Sequence, residues 1–153
     1  MKETQPKKAK LFNLKRLPMD MARIAFSPLP LLFRVRCMTP DGQKYKGKIW
    51  NGGIIAANHS AFTDILVLYS AFWYRRLFII VADVVMKDKL REVLITGCGG
   101  IQINRDIADL QAIRRSVEVL KEGQLLAVFP QGHIAGQGAV DSVKHGTALM
   151  AVQ

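Results

Sequence analysis

Short apolar blocks and longer helical stripes alternate along this chain. The blocks are bounded by glycine, proline or polar residues, and they predict buried strands at 54–57, 77–82, 101–104 and 125–129. The stripes repeat apolar residues every three or four positions and predict helices at 64–74, 87–94 and 108–122. Because strands and helices alternate, we predict an α/β domain in which helices flank a central, largely parallel sheet.

The helix predicted at 108–122 has the most regular pattern. Its apolar stripe consists of Leu110, Ile113, Val117 and Leu120. Gly123 marks its end, since glycine commonly follows the last helical turn. The charged helix at 87–94 has a shorter stripe, made of Leu90, Val93 and Leu94. Weaker patterns predict an outer strand at 44–50 and a helix that begins near Thr147.

The first third of the chain has a different pattern, in which basic residues are interspersed with apolar ones. Residues 1–48 hold 12 Lys or Arg and 3 Asp or Glu, whereas residues 49–153 hold 10 and 9. Any long helix in this segment is broken by Pro18, Pro28 and Pro30. Such short basic pieces either lie in a membrane interface, with Lys and Arg reaching phosphates, or pack on the domain. The sequence leaves both alternatives open.

The bulk composition narrows the class of protein. With 153 residues, half of them hydrophobic, the chain suits one domain with one core. No apolar run approaches the roughly 18 residues of a spanning helix. Cys37 and Cys98 lack a disulfide spacing, which favours a reducing compartment. Three His and two Cys, widely spaced, do not form a metal-ligand pattern, so we expect no metal.

The first predicted strand runs into a polar turn that contains His59 and Asp64. A neutral imidazole accepts a proton on one nitrogen while the other donates, and a carboxylate on the donor side fixes the tautomer. Five residues are too wide a spacing for one helix face, but the pair can meet across a turn. The alternative is ordinary: a loop histidine followed by an aspartate that caps a helix.

Two further loops follow strands and lie, by prediction, at the same edge of the sheet. The second loop carries Arg105, whose guanidinium suits bidentate phosphate binding or an ion pair with Asp106 or Asp109. The third loop is glycine-rich, at 131–138, so its backbone amides can approach a ligand oxygen, although plain surface loops are also glycine-rich. It lacks the Lys-Ser/Thr ending of a nucleotide P-loop, which excludes that class of site.

Taken in order, the three loops resemble the sequence blocks of the glycerolipid acyltransferases, nearest to the 1-acylglycerol-3-phosphate (lysophosphatidic acid) acyltransferases. The segment from Asn58 to Asp64 is similar to the Asn-His-x4-Asp block of that family. The segment from Gly100 to Arg105 is similar to the Gly-x-x-Phe-Ile-x-Arg block but shifted in detail: Gly100 and Arg105 fit, with Ile103 and Asn104 at the Phe-Ile positions. Phe129-Pro130-Gln131-Gly132 resembles the start of the Phe-Pro-Glu-Gly-Thr-Arg block.

The chain departs from the family pattern at four points. Gln131 replaces the family's glutamate, His133 its threonine and Ile134 its arginine. A carboxylate and a cation are therefore lost together, which places more of the phosphate binding on Arg105 or on His133. The family also continues with a Val-Pro-Ile-x-Pro strand, whereas this sequence ends at Gln153. We therefore expect a domain at 44–153 that is incomplete at its C-terminus.

The resemblance implies an acyltransferase that moves a fatty acyl group from acyl-CoA or acyl carrier protein to the free hydroxyl of a lysophospholipid. It implies that His59 is the general base and that Asp64 orients it. The implied substrate-binding residues are Gly100, Arg105, Pro130, Gln131, Gly132 and His133. Backbone amides near Gly132 would stabilise the oxyanion. No cofactor is implied beyond the acyl donor.

The acceptor implied by the resemblance resides in a membrane, so we expect the basic segment, residues 1–43, to associate with that membrane. We therefore expect the protein to lie peripherally on the cytoplasmic face of an anionic membrane. Two alternatives remain: a catalytically weakened lipid-binding protein of the same fold, and a nucleic-acid-binding module suggested by charge alone. The second has no interleaved aromatics or recognisable binding motif, so we expect no nucleic-acid partner.

Overall fold

The computed structural model of the protein describes residues 16–45, 48–61, 63–86, 88–104, 107 and 109–132. Its helices are α1 (Leu17–Phe26), α2 (Leu29–Leu32), α3 (Asp64–Ala71), α4 (Lys89–Gly97) and α5 (Leu110–Lys121), with a 3-10 turn at Asp83–Met86. Its strands are β1 (Gly53–Ala56), β2 (Leu77–Ala82), β3 (Gly100–Ile103) and β4 (Leu125–Val128). All four predicted strands are thus present, each within one residue at either end.

The four strands form one parallel sheet in the order β1-β4-β2-β3. Its flanking helices confirm the predicted α/β class. Because the strands are parallel, their carboxyl ends share one edge, where Ala56 lies opposite Val128 and Ala82 opposite Ile103. We call this the carboxyl edge and the other the amino edge.

Strand β4 is the centre of the core, and all four of its residues are buried. Alternate side chains of a strand point to opposite faces, so Leu125 and Ala127 join one cluster and Leu126 and Val128 the other. One cluster includes Tyr69 of α3, and the other includes Ala112 and Val119 of α5. Helices therefore cover both faces of the strand, which is why its sequence is apolar without alternation.

Helix α5 buries most of its predicted apolar stripe, since Val117 is buried and Ile113 and Leu120 pack against the core. Its buried residues are Ala112, Ser116, Val117 and Val119. Leu110 is 62% exposed, so its assignment to the core is wrong. Ser116 is buried because its hydroxyl donates to the carbonyl of Ala112 at 2.8 Å, which satisfies its polar group. Small side chains on this face let the helix approach the sheet closely.

Helix α1 packs on the domain. Met19 and Asp20 are buried, and Asp20 accepts hydrogen bonds from Arg76 Nε at 2.9 Å and Nη2 at 2.7 Å. Arg23 Nη2 lies 3.2 Å from the same carboxylate. The predicted break at the prolines is confirmed, since α1 ends at Phe26 and the short α2 follows. Packing, one of the two alternatives for this segment, is therefore observed for α1, and membrane contact stays a prediction.

Two other predictions about the described residues have clear outcomes. The outer strand predicted at 44–50 is wrong where it is described: Lys44 makes only an isolated bridge with Met38, and residues 48–50 have no regular structure. No helix within the described ranges is long and apolar enough to cross a bilayer. The predicted helix near Thr147 lies outside the described residues.

Candidate active site

The turn between β1 and α3 is built around one carboxylate oxygen. Asp64, the first residue of α3, accepts hydrogen bonds through Oδ2 from the backbone N–H of Ser60 at 2.6 Å and of Ala61 at 2.8 Å. The same oxygen lies 3.1 Å from Nδ1 of His59. The aspartate therefore folds the turn back on itself and brings the histidine to it. The predicted meeting of His59 and Asp64 across the turn is observed. The alternative, an aspartate that caps the helix, is wrong: Thr63 is at the cap position, and the Asp64 carboxylate accepts from the turn before the helix.

Asp64 is held in its ionised form. Burial by itself would raise the pKa of Asp64, but the N–H groups of Ala61 and Ser60 and the His59 ring lower it more. The pKa of this carboxyl is therefore below its usual value. An ionised carboxylate only accepts hydrogen bonds, so Nδ1 of a neutral His59 must carry the proton. Nε2 is then the ring nitrogen with a lone pair, which is the state a general base requires.

The loop that follows β4 completes the surroundings of His59. The ring of Phe129 stacks on the imidazole, with centroids 4.2 Å apart and planes 22° apart. Gln131 is 5% exposed, and its Oε1 accepts the backbone N–H of His59 at 2.9 Å. The structure thus brings the first and third predicted loops together at the carboxyl edge. The buried side chain of Gln131 therefore holds the backbone of His59. The resemblance had instead implied that Gln131 contacts the substrate.

Gly132 closes a tight turn in the third loop that begins at Phe129 and contains Pro130. It has a φ of +72°, which favours glycine, and its N–H donates to the carbonyl of Phe129 at 2.9 Å. Since that N–H is already used in the turn, the amide of Gly132 itself is not available to an oxyanion in this conformation. His133, which follows, lies outside the described residues.

The second loop is anchored by Asp109, the residue that caps α5. Its carboxylate accepts the N–H of Ala112 at 2.9 Å and of Asn104 at 3.1 Å. These N–H groups, that of Ala112 foremost, lower the pKa of Asp109 below its usual value. The cap therefore fixes the carboxyl end of β3, from which the chain continues to Arg105. Arg105 and Asp106 themselves lie outside the described residues.

Gly100 is placed away from the carboxyl edge, at the opposite end of β3. A Cβ built on it would lie 2.3 Å from Cγ2 and 2.9 Å from the carbonyl oxygen of Ile95 in α4. Only glycine lets the helix and the strand approach so closely. This placement argues for packing rather than for the substrate contact that the resemblance implies.

Sequence reasoning missed the parts of Phe129 and Gln131 in positioning His59. The signal that could have found them is their place directly after a strand predicted to end beside the first loop. The assembled group consists of an imidazole, a carboxylate hydrogen-bonded to it, a stacked ring and a buried amide. Within the described ranges, no three His, Cys, Asp or Glu side chains gather as a metal site requires. The arrangement can remove a proton from a hydroxyl held near Nε2.

Comparison with protein families gave one finding. The family model described as Acyltransferase matches residues 43–153. The matched region includes all three loops and leaves out helices α1 and α2. Comparisons with curated proteins and with solved structures gave no match.

Proposed function

This chain belongs to the Acyltransferase family, whose model matches residues 43–153, and from that membership we propose that it acylates a lysophospholipid. The proposed acceptor is the free hydroxyl of 1-acylglycerol-3-phosphate, and the donor is acyl-CoA or acyl carrier protein. The reaction serves phospholipid biosynthesis. One observation carries the proposal: the hydrogen bond between Nδ1 of His59 and the ionised carboxylate of Asp64, 3.1 Å long, at the carboxyl edge of a parallel sheet.

In the proposed reaction, Nε2 of His59 takes the proton of the acceptor hydroxyl while that oxygen attacks the thioester carbonyl. The tetrahedral intermediate then collapses, the carbon–sulfur bond breaks, and the leaving thiolate takes the proton back from the imidazolium. Asp64 stabilises the imidazolium between these two steps. The acyl group passes directly from sulfur to oxygen, so no acyl-enzyme is needed.

The test is acyl transfer by the purified full chain, with acyl-CoA or acyl carrier protein as donor and 1-acylglycerol-3-phosphate as acceptor. His59→Ala should lower turnover by about 10²–10⁴-fold, the usual weight of a general base. Ser60→Ala is the matched control. It keeps the backbone N–H that Asp64 accepts and removes the hydroxyl nearest to His59 in the sequence, so it should keep its activity.

Near-normal turnover of His59→Ala, with an unchanged circular dichroism spectrum, would contradict the assignment of the base. Loss of turnover in Ser60→Ala would contradict direct transfer and favour an acyl-enzyme. If the wild-type chain bound the acceptor but released no thiol, the alternative of a weakened lipid-binding protein would hold instead.

Arg105 is the proposed contact for the acceptor's phosphate. Arg105→Ala should raise the KM for 1-acylglycerol-3-phosphate much more than the KM for the thioester, because only the acceptor carries that phosphate. Arg105→Lys should restore the KM only in part, since a point charge does not replace a planar fork. Equal effects on both substrates would instead indicate a structural ion pair.

We also propose that the protein lies peripherally on the cytoplasmic face of an anionic membrane. Three features support this: the basic excess before residue 49, an acceptor that resides in the bilayer, and apolar side chains that α1 and α2 expose. The exposed residues are Met21, Ile24, Leu31 and Leu32. Short helices of this kind bury such side chains at the headgroup boundary while Lys and Arg contact phosphates.

A further inference from the structure

Three aromatic rings surround one ammonium group at the amino edge of the sheet. The Nζ of Lys48 lies 6.0 Å from the ring centroid of Trp50, 5.7 Å from that of Trp73 and 5.3 Å from that of Tyr74. Trp50 precedes β1, and the other two rings precede β2, so the parallel sheet brings them to one place. A cation within about 6 Å of an aromatic centroid is attracted by the ring's negative face. We call these three rings the aromatic cage.

The rings stand at steep angles to one another, as the walls of a box do. The Tyr74 ring makes an angle of 87° with Trp73 and of 63° with Trp50, with centroids 6.3 and 5.7 Å apart. A group that enters between them therefore meets more than one ring face. Stacked parallel rings would offer one face only.

The cage is held in place by a buried arginine. Arg75 donates from Nη1 to the carbonyl of Ile49 at 2.9 Å and from Nη2 to that of Gly123 at 2.5 Å. The Tyr74 hydroxyl, in turn, accepts the N–H of Ile49 at 3.1 Å. The backbone directly before Trp50 is thus fixed to the junction of α3 and β2. Preorganised rings of this kind lose little freedom when they bind a ligand.

We propose that the aromatic cage binds the trimethylammonium group of a phosphocholine headgroup and that Lys48 yields its place to it. A primary ammonium is compact and strongly hydrated, so it is held weakly in a cage open to water. A trimethylammonium is larger and poorly hydrated, and cages of aromatic rings are suited to it. Displaced Lys48, on its flexible stem, then pairs with the phosphate of the same headgroup.

The zwitterion fits the charges of the site better than a simple cation does. A free organic cation that entered the cage would be repelled by the positive charge of Lys48, with no anion of its own to offset that repulsion. Phosphocholine brings an anionic phosphate next to its cation, so the lysine gains a partner when it leaves the rings. The cage lies at the edge opposite to His59, and the inference does not depend on the proposed acyl transfer.

The chain offers its own reporter, because Trp50 and Trp73 are its two tryptophans. Intrinsic tryptophan fluorescence therefore reports the cage alone. Titration of the full chain with phosphocholine should give a saturable change, and choline should bind more weakly. The neutral isostere 3,3-dimethylbutan-1-ol should give no saturable change. If the neutral alcohol bound as well as phosphocholine, or if phosphocholine gave no change, the proposal would be overturned.

Single-tryptophan variants keep one reporter and remove one wall. Trp50 is 57% exposed and Trp73 43% exposed, so replacing either one should leave the fold intact, as circular dichroism would check. Trp50→Leu and Trp73→Leu should each weaken phosphocholine binding by about two- to fivefold, the contribution of one exposed cation–π contact. Unchanged affinity in both variants would overturn the proposal.

Lys48→Met tests the exchange itself. Choline should bind about fivefold more tightly to this variant, because no resident ammonium has to leave the rings. The preference for phosphocholine over choline should disappear at the same time, since the contact with the phosphate is lost. Lys48→Arg is the matched control and should keep that preference. If Lys48→Met still preferred phosphocholine over choline, the proposed contact between Lys48 and the phosphate would be overturned.

Vesicles distinguish the source of the headgroup. If the cage reads a membrane lipid, its fluorescence should shift on phosphatidylcholine vesicles and soluble phosphocholine should compete. If soluble phosphocholine binds but those vesicles cause no shift, the ligand is the free molecule and the chemistry of the site stands. An equal shift on phosphatidylcholine, phosphatidylethanolamine and phosphatidylglycerol vesicles, without competition by phosphocholine, would show nonspecific interfacial anchoring and overturn the proposal.

Discussion

At the scale of single residues, Asp64 shows that one carboxylate can both shape a turn and face an imidazole. Its Oδ2 receives two backbone N–H groups and faces Nδ1 of His59. The hydrogen bonds that shape the turn also keep the carboxylate ionised, by lowering its pKa. The group that orients the imidazole is therefore itself fixed by the backbone, which is what a preorganised site requires.

Gln131 holds the backbone of His59, whereas Asp64 holds its ring. Gln131→Met keeps the length of the side chain but removes the acceptor, so the N–H of His59 loses its partner. The free energy of unfolding should fall by about 1–3 kcal/mol. Turnover should fall as well, because His59 is held less firmly. Chemical unfolding and acyl transfer measure the two effects.

Gln131→Glu is the control, because its carboxylate still accepts the N–H of His59 and it restores the residue type of the family block. It should keep more stability than Gln131→Met. If both variants lost the same stability, the hydrogen bond to His59 would not be what Gln131 contributes.

At the scale of elements, the attachment of α1 depends on a buried ion pair rather than on its apolar residues alone. Asp20 and Arg76 are 1% and 4% exposed, and the guanidinium binds the carboxylate through two nitrogens. Met19 is buried beside them. Its flexible thioether side chain fills the space next to Gly99, whose φ is +96°. The helix that the charge pattern assigned to a membrane surface is thus also part of the core.

Asp20→Asn should destabilise the fold by about 3–5 kcal/mol, because it removes the charge that Arg76 and Arg23 share in a dry environment. The matched control is Asp88→Asn, at the exposed ion pair with Arg91. That change should cost at most about 1 kcal/mol, since water screens the pair. Chemical unfolding of the two variants gives the comparison. Equal losses would mean that the buried pair contributes no more than a surface one.

At the scale of the whole molecule, the parallel sheet separates two kinds of chemistry. The carboxyl edge holds His59, Asp64 and Gln131, and the amino edge holds the aromatic cage around Lys48. Parallel strands force this separation, because the loops before the strands and the loops after them lie at opposite ends. The family match, over residues 43–153, covers both edges and does not by itself assign a role to the residues of either.

The proposed membrane contact also belongs to this scale, and the packing of α1 decides how it is tested. Deleting residues 1–36 would remove Met19 and Asp20 from the core, so loss of binding would be ambiguous. Replacing Leu31 and Leu32, 85% and 74% exposed, by serine avoids this. The double variant should co-sediment less with phosphatidylglycerol vesicles than the wild type does. Raised salt should reduce the wild-type binding without abolishing it, because apolar contacts are not screened.

Helix α4 supplies a matched control, since Leu90 and Val93 are also exposed apolar residues. Replacing these two by serine should leave sedimentation unchanged. If the α4 variant lost binding and the α2 variant kept it, the protein would meet the membrane through the face of α4, and the proposed orientation would be wrong.

The sequence by itself determined the strands, their parallel arrangement and the break between α1 and α2. These features depend on neighbours in the chain: apolar blocks set the strands, alternation with helices sets their direction, and proline sets where a helix stops. The approach of His59 to Asp64 was predictable for the same reason, because the two residues share one short turn.

Only the tertiary structure decided which distant residues meet. Gln131 lies 72 residues from His59, and Asp20 lies 56 residues from Arg76. Their pairing follows from the strand order β1-β4-β2-β3 and from the docking of α1, neither of which leaves a periodic pattern in the sequence. The same holds for the aromatic cage, in which Trp50 and Trp73 lie before two different strands. Local patterns fix elements, whereas burial and hydrogen bonding between elements fix the sites, because only the packed sheet brings their side chains within contact distance.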